Sequence, residues 1–229
     1  VPANEIVSLS DYRLRHAQYK SDADSKQFHA SKPVIAVWDD HEFTNDTYKD
    51  GAENHSTATE GSFAARKAVA TQAYHEWMPI RSGMDKSKIY RSFNFGNVLS
   101  LHMLDTRSVG RDQQVEITDL INPAKQASAV STLSSPTRQL MGTEQVQWLQ
   151  GQMAASTATW QVLGQQVLMA RMEFPLTILQ ALNPSDTSAQ AQIAGQKAIT
   201  DYLTAKGKQA QGYPLSALET ALLAQPKLG

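Results

Sequence analysis

The sequence predicts an α/β fold, and three observations carry that prediction. A short apolar run, Val34–Trp38, stops abruptly on Asp39-Asp40-His41-Glu42. A pair of alternating segments, Ile89–Phe95 and Val98–Leu104, is joined by the turn signal Gly96-Asn97. Between and after these lie stretches with helical spacing. Strands alternating with helices argue for a sheet flanked by helices.

Each element follows from its residues. Ser10-Asp11 can cap a helix over Tyr12 to Lys20, and Asp22 a second one through Phe28, ending before Pro33. Val34 to Trp38 places five apolar side chains in a row, which reads as a strand buried on both faces. Phe43 to Gly61 is polar and reads as a loop. Ser62 to Met78 carries Phe63, Val69, Ala73 and Trp77 near helical spacing, and Pro79 stops it. The alternation across Gly96-Asn97 predicts a β-hairpin ending on Asp105-Thr106-Arg107. Residues 108–142 read as a long loop with a short helical piece near Ala124–Val130. Thr143 then caps a helix that puts Val146, Leu149 and Met153 on one face. Trp160–Ala170 predicts another buried strand, interrupted by Gln165-Gln166. Phe174–Leu182 and Ala189–Ala205 look helical. Ser216 to Glu219 has the capping-box form ahead of a last helix. Trp77, Trp148 and Trp160 fit core anchors.

Composition narrows the class of function. The 229 residues are 41% hydrophobic and 19% charged, as in soluble globular proteins. They read as a single domain, 1–229. A net charge of −1 offers no nucleic-acid-binding patch. No run approaches the roughly 18 apolar residues of a transmembrane segment. Cysteine is absent, so disulfides and thiolate ligands within this chain are excluded.

The densest chemistry is Asp39-Asp40-His41-Glu42. Strand ends in α/β sheets are where ligands bind, and hard or borderline cations take carboxylate and imidazole ligands. One reading is a metal ligand with a proton-donating histidine. The other is a helix cap, with Asp40 capping and Glu42 in the first turn. Both stay open on the local pattern. Arg107, at the second polar cluster, either clamps phosphate or ties down its loop. Gln165 and Gln166 either satisfy loop backbone or face a site. Arg13, Arg15 and Lys20 read as a solvated face.

Several ordered stretches resemble the alkaline phosphatase D (PhoD-like) family of metallophosphatases. They are Asp11-Tyr12-Arg13 through Tyr19-Lys20-Ser21-Asp22, then Trp38-Asp39-Asp40-His41-Glu42 with Asn45, and Ala73 to Pro79. Tyr90 to Phe93, Phe95-Gly96-Asn97, Leu104 to Arg107 and Arg111-Asp112-Gln113 follow. Gly142 to Gln145, Trp148-Leu149 and Trp160 to Gln166 complete the set, so the resemblance covers about residues 10–171. Residues 172–211 carry no specific match.

The resemblance implies a metal-dependent phosphoric ester hydrolase acting through metal-activated water on a phosphate ester substrate. It implies a four-layer αββα metallophosphoesterase-like sandwich, of which this chain would form part. Asp40, with Asp39, takes metal-ligand positions. His41 stabilises the phosphoryl group or the leaving oxygen, Glu42 orients His41, and Arg107 clamps phosphate oxygens. Asn45, Asp105 and Gln166 line the site. Iron and calcium are the implied metals, and a secreted or periplasmic, cell-envelope location is implied. Further metal-ligand blocks, Gly-Asp-x-x-Tyr upstream and Gly-Asp-x-His downstream, are expected outside these residues, making the chain the central portion of a longer catalytic domain. The alternative is a non-catalytic binding or structural module derived from such an enzyme.

Overall fold

The computed structural model describes residues 4–168, 174–175, 178, 188–225 and 227–228. The chain divides into two compact units, one built from Val1–Gln114 and Thr137–Leu168, the other from Val115–Pro136 and Met169–Gly229. Mixed α/β structure is the outcome. The described strands form one three-stranded sheet and one two-stranded pair.

The first unit begins with helix α1, Leu9–Ser21. Ser8 caps it, just ahead of the expected Ser10-Asp11, and Asp11 closes a capping box onto Ser8. Asp22 caps α2, Ala23–Ser31, by accepting from Ser25 N–H at 2.9 Å. After a single helical turn at Thr57–Glu60 (α3) comes the expected helix α4, Phe63–Trp77, which Ser62 caps. Its Ala70, Ala73 and Tyr74 recur at helical spacing and are buried. They meet Tyr12 of α1, Trp38, Phe43 and Ile89 in one apolar core. Arg13 of α1 and Glu76 of α4 form a bidentate pair beside it, with both bonds at 2.6 Å.

The Val34–Trp38 run is not a strand. Residues 33–39 carry no regular structure, and Val34 and Ile35 are exposed. Side chains take the place of a strand partner. Arg91 Nη2 donates to Ala36 O at 2.6 Å, and Gln166 Nε2 to Trp38 O at 2.7 Å. Backbone groups must be paired, and paired this way they need no ladder.

The hairpin forms as predicted. Strands β1, Arg91–Phe95, and β2, Leu99–Met103, pair antiparallel across Gly96, whose φ is +60°. The expected loop 108–142 holds two helices, α5 (Ile117–Ile121) and α6 (Gln126–Leu133), both in the second unit. Helix α7, Thr143–Ala155, starts after Gly142, and Thr143 does not cap it. Strand β3, Trp160–Gly164, pairs in parallel with β2. It is neither as long nor as buried as expected, and Trp160 is 65% exposed. Among the described residues β3 has a neighbour on one side only, so the sheet covers one edge of it. Trp160 is therefore no core anchor; the buried indole is Trp38.

In the second unit, Phe174–Pro175 (β4) is a strand residue pair where a helix was expected, and it pairs with Lys227–Leu228 (β5). The remainder of the expected helix to Leu182 lies outside the described residues, apart from Ile178. Helix α8, Ala189–Ala210, and helix α9, Ala217–Leu223, follow. Ser216 and Glu219 form the predicted capping box, and Lys208 reaches Glu219.

Candidate active site

Parallel strands β2 and β3 end at the same edge of the sheet, where Leu104 N–H still donates to Gly164 O at 2.8 Å. Their C-terminal continuations, Asp105-Thr106-Arg107 and Gln165-Gln166, therefore emerge side by side. Ligands collect at such edges in α/β sheets.

Two buried polar side chains, Asp105 and Gln145, and the half-buried Gln166 weld this corner. Asp105 is 0% exposed. Its Oδ2 accepts from Trp38 Nε1 at 2.8 Å and from Ser108 Oγ at 2.7 Å. Its Oδ1 accepts the N–H groups of Arg107 and Ser108 at 2.9 and 2.7 Å. Gln145 of α7 accepts from Asp105 N–H and donates to Asp105 O and Met141 O. Gln166 accepts from Thr106 N–H and Thr106 Oγ1 while its Nε2 donates to Trp38 O and Leu104 O. Gln166 thus satisfies backbone, and so it fixes the position of the turn that begins at Asp39.

Arg107, with its side chain 12% exposed, crosses to that turn. Its Nε donates to Asp39 Oδ1 at 2.7 Å and its Nη1 to Asp46 Oδ1 at 3.1 Å, and Asp40 Oδ1 lies 3.6 Å from Nη2. Those carboxylates hold its pKa up against the opposing effect of burial, which is the larger single influence. Asp40 also closes its own loop: Oδ1 accepts His41 N–H and Oδ2 accepts Asp46 N–H at 2.8 Å. Asp46 sits at φ +50°, a left-handed conformation that aspartate tolerates better than most residues. The turn is therefore held by Arg107, by its own backbone, by Tyr12 OH on Phe43 O, and by Gln114 Nε2, which donates to Asp46 O at 3.0 Å.

His41 projects from this turn, with its side chain 75% exposed. Its Nε2 is 2.8 Å from Asn45 Oδ1. Asn45 Nδ2 donates to Glu53 Oε2 at 2.6 Å, so the amide presents its oxygen to the ring. That hydrogen bond, with Asp40 next in effect, raises the His41 pKa above 6.5. The ring's partner is thus Asn45, where the resemblance assigns orientation to Glu42. Glu42 instead accepts Asp39 N–H at 2.6 Å, and burial pushes its pKa up.

Four residues of the corner carry no role in the sequence reading. Gln145 looks like one more surface residue of a polar helix, and Glu53 like loop. Lys67 of α4 reaches Ser108 O at 2.6 Å, and burial lowers its pKa. Arg111 is half-buried, its pKa lowered by burial and then by Arg107, and its buried Nη1 has no hydrogen-bond partner. Gly110 next to it touches Gly142 so closely that a Cβ would come 2.2 Å from the Gly142 nitrogen.

A metal demands converging donors. The carboxylates and imidazole here are of the type that hard cations take. Yet Asp39, Asp40 and Asp46 all turn toward Arg107, and His41 turns to Asn45. Among the described residues no three His, Asp or Glu side chains share one coordination sphere. The residues in hand do not by themselves form a metal centre.

The chain matches the family model for PhoD-like phosphatase over residues 1–218. The chain belongs to the PhoD-like phosphatase family. It is 42% identical over 175 residues to alkaline phosphatase D of Bacillus subtilis (strain 168), covering 74% of this chain and 28% of that protein. It is similar to a solved structure of PhoD at a TM-score of 0.61 and 36% identity, over 75% of this chain and 32% of that one. The chain thus spans about a third of the length of these PhoD relatives. The family match runs past residue 171 and includes the stretch that carried no motif. Among the described residues no helix is long and apolar enough to cross a membrane.

Proposed function

We propose that the chain carries part of the machinery of a phosphoric ester hydrolase, with the Asp39–Asp46 turn and Arg107 at its reacting edge. One observation supports this beyond family membership. His41, the exposed group at the edge, is kept protonated to higher pH by Asn45 and Asp40. A protonated imidazole can offset phosphoryl charge and give a proton to a departing alcohol oxygen. With Nε2–H held by Asn45, Nδ1–H is the proton available for that transfer. Water adds to phosphorus as the P–O bond to the alcohol breaks. Asp40 keeps its place as the candidate metal ligand beside Asp39, and Asp105 and Gln166 act by positioning. Arg107 orders the acidic turn. Arg111 adds a second, half-buried guanidinium beside it, within the fields of Asp40 and Asp46.

Iron and calcium, and a secreted or periplasmic location, belong to this proposal on the family resemblance alone. So does the place of the three-stranded sheet within a four-layer sandwich, and so does the single domain 1–229. A second reading, a non-catalytic module descended from such an enzyme, has its own support: no three metal donors converge among the described residues. One assay separates them. Hydrolysis of p-nitrophenyl phosphate and of its bis ester is measured with iron and calcium supplied, for a chain of the length of the PhoD relatives that carries these residues, as wild type and as His41→Ala. The hydrolase reading expects turnover that falls about 100-fold or more in His41→Ala. Equal rates in both proteins, or none in the wild type, favour the non-catalytic module.

A further inference from the structure

A cavity of about 730 Å³ runs beside α1 and α2 and reaches the reacting turn, with Arg15, His16, Lys20, His29, His41 and Asn45 in its walls. Four of these, on the two helices, are cations or can become cations. Only two carboxylates line the cavity, and both are engaged. Glu5 accepts from Arg66 Nη2 at 2.6 Å, and Glu42 from Asp39 N–H at 2.6 Å. Arg15 reaches an amide, donating Nη1 to Gln18 Oε1 at 3.2 Å. Lys20 Nζ lies 2.9 Å from His29 Nε2, a contact between two basic groups that an anion would reinforce. Burial, with Lys20 next in effect, keeps His16 below its ordinary pKa. The sequence reading of Arg15 and Lys20 as a merely solvated face accordingly misses their shared cavity.

We infer that this cleft binds a second anionic group, a phosphate or a carboxylate, carried on the leaving side of the ester substrate. The inference rests on the hydrolase reading for its direction: His41 lies at the cleft and serves the leaving oxygen, so the rest of the leaving group extends between α1 and α2. Cations in a recessed wall attract such a group over a distance and hold it at contact. The wall selects esters whose leaving group is itself charged.

The test uses that same longer chain and two readouts. Calorimetry compares methylenediphosphonate, which has two anionic groups and no ester, with methylphosphonate. The diphosphonate binds the wild type more tightly, and Arg15→Gln/Lys20→Gln weakens it about tenfold, the loss of a charge-assisted contact. Kinetics then compare 4-carboxyphenyl phosphate with phenyl phosphate. The ratio of their kcat/KM values falls about tenfold in the double variant, through KM. A fall with the diphosphonate but not with the carboxylate ester assigns the cleft to phosphate alone. An unchanged diphosphonate affinity and an unchanged ratio overturn the inference. Variant-sensitive diphosphonate binding in a wild type that hydrolyses neither ester sinks the hydrolase reading and leaves the anion site standing. Circular dichroism identifies any double variant that fails to fold, and the two single variants then carry the same measurements.

Discussion

Two polar regions meet within a few residues of each other and are built on opposite terms. The corner made by Asp105 and Gln145, with half-buried Gln166 at its rim, is largely buried, and its donors and acceptors answer one another through defined hydrogen bonds. The turn from Asp39 to Asp46 is wet at His41, bent through a left-handed aspartate, and has its acidic side chains gathered around one arginine. Buried polar networks are stiff when fully satisfied. Sites of chemistry are more often found where groups stay exposed and perturbed. The difference teaches that the fold fixes the corner and the corner fixes the turn, through Trp38, Gln166 and Arg107.

Breaking the corner should have the largest effect. Asp105→Ala strands the indole N–H of Trp38 and two backbone N–H groups, and costs about 3–5 kcal/mol in urea unfolding. A loss below about 1 kcal/mol would show that the corner is not structural. Gly110→Ala comes next. Its new methyl group meets backbone, which cannot swing aside, so about 2–3 kcal/mol is expected, with Arg111 displaced.

Arg107→Met acts on the turn itself. It leaves Asp39, Asp40 and Asp46 facing one another without their cation, at a cost of about 1–2 kcal/mol. Added salt should recover part of that loss by screening the repulsion, whereas the Asp105→Ala deficit should stay. Equal salt dependence in both variants would erase the contrast between the regions.

The smallest change sharpens it. The folded His41 pKa is raised, so its contribution to stability is complete below the unfolded value of 6.5 and disappears as pH rises through the folded one. Asn45→Ala removes the largest cause of that shift. In an NMR titration the His41 midpoint should move down toward 6.5, with the urea midpoint nearly unchanged. A midpoint that does not move would assign the shift to Asp40 instead.

Legibility in the sequence followed the range of the interactions. Asp22 and the Ser216–Glu219 box announce their helices because a cap acts within a single turn. Gly96 announces the hairpin for the same reason. The apolar run Val34–Trp38 misled because its partners are the side chains of Arg91 and Gln166, far along the chain. Trp160 misled because indole size says nothing about which edge of a sheet a strand occupies. At the site, four adjacent proton-active residues were conspicuous. That Arg107 would take up three carboxylates was not, since it lies far from them in sequence and either reading of the Asp105-Thr106-Arg107 cluster was open. Glu53 and Gln145 were silent for want of any local pattern; only the fold shows what they hold.

Gln166 also limits what its position tolerates. Its amide accepts on one side and donates to two carbonyls on the other, and no other side-chain group does both in that geometry. Spontaneous deamidation would replace the donor with a carboxylate oxygen aimed at Trp38 O and Leu104 O. The same atom count would then hold two repelling contacts and an uncompensated charge. Gln166→Glu should therefore lower the urea midpoint more than Asn45→Asp, whose new carboxylate faces the exposed His41 ring.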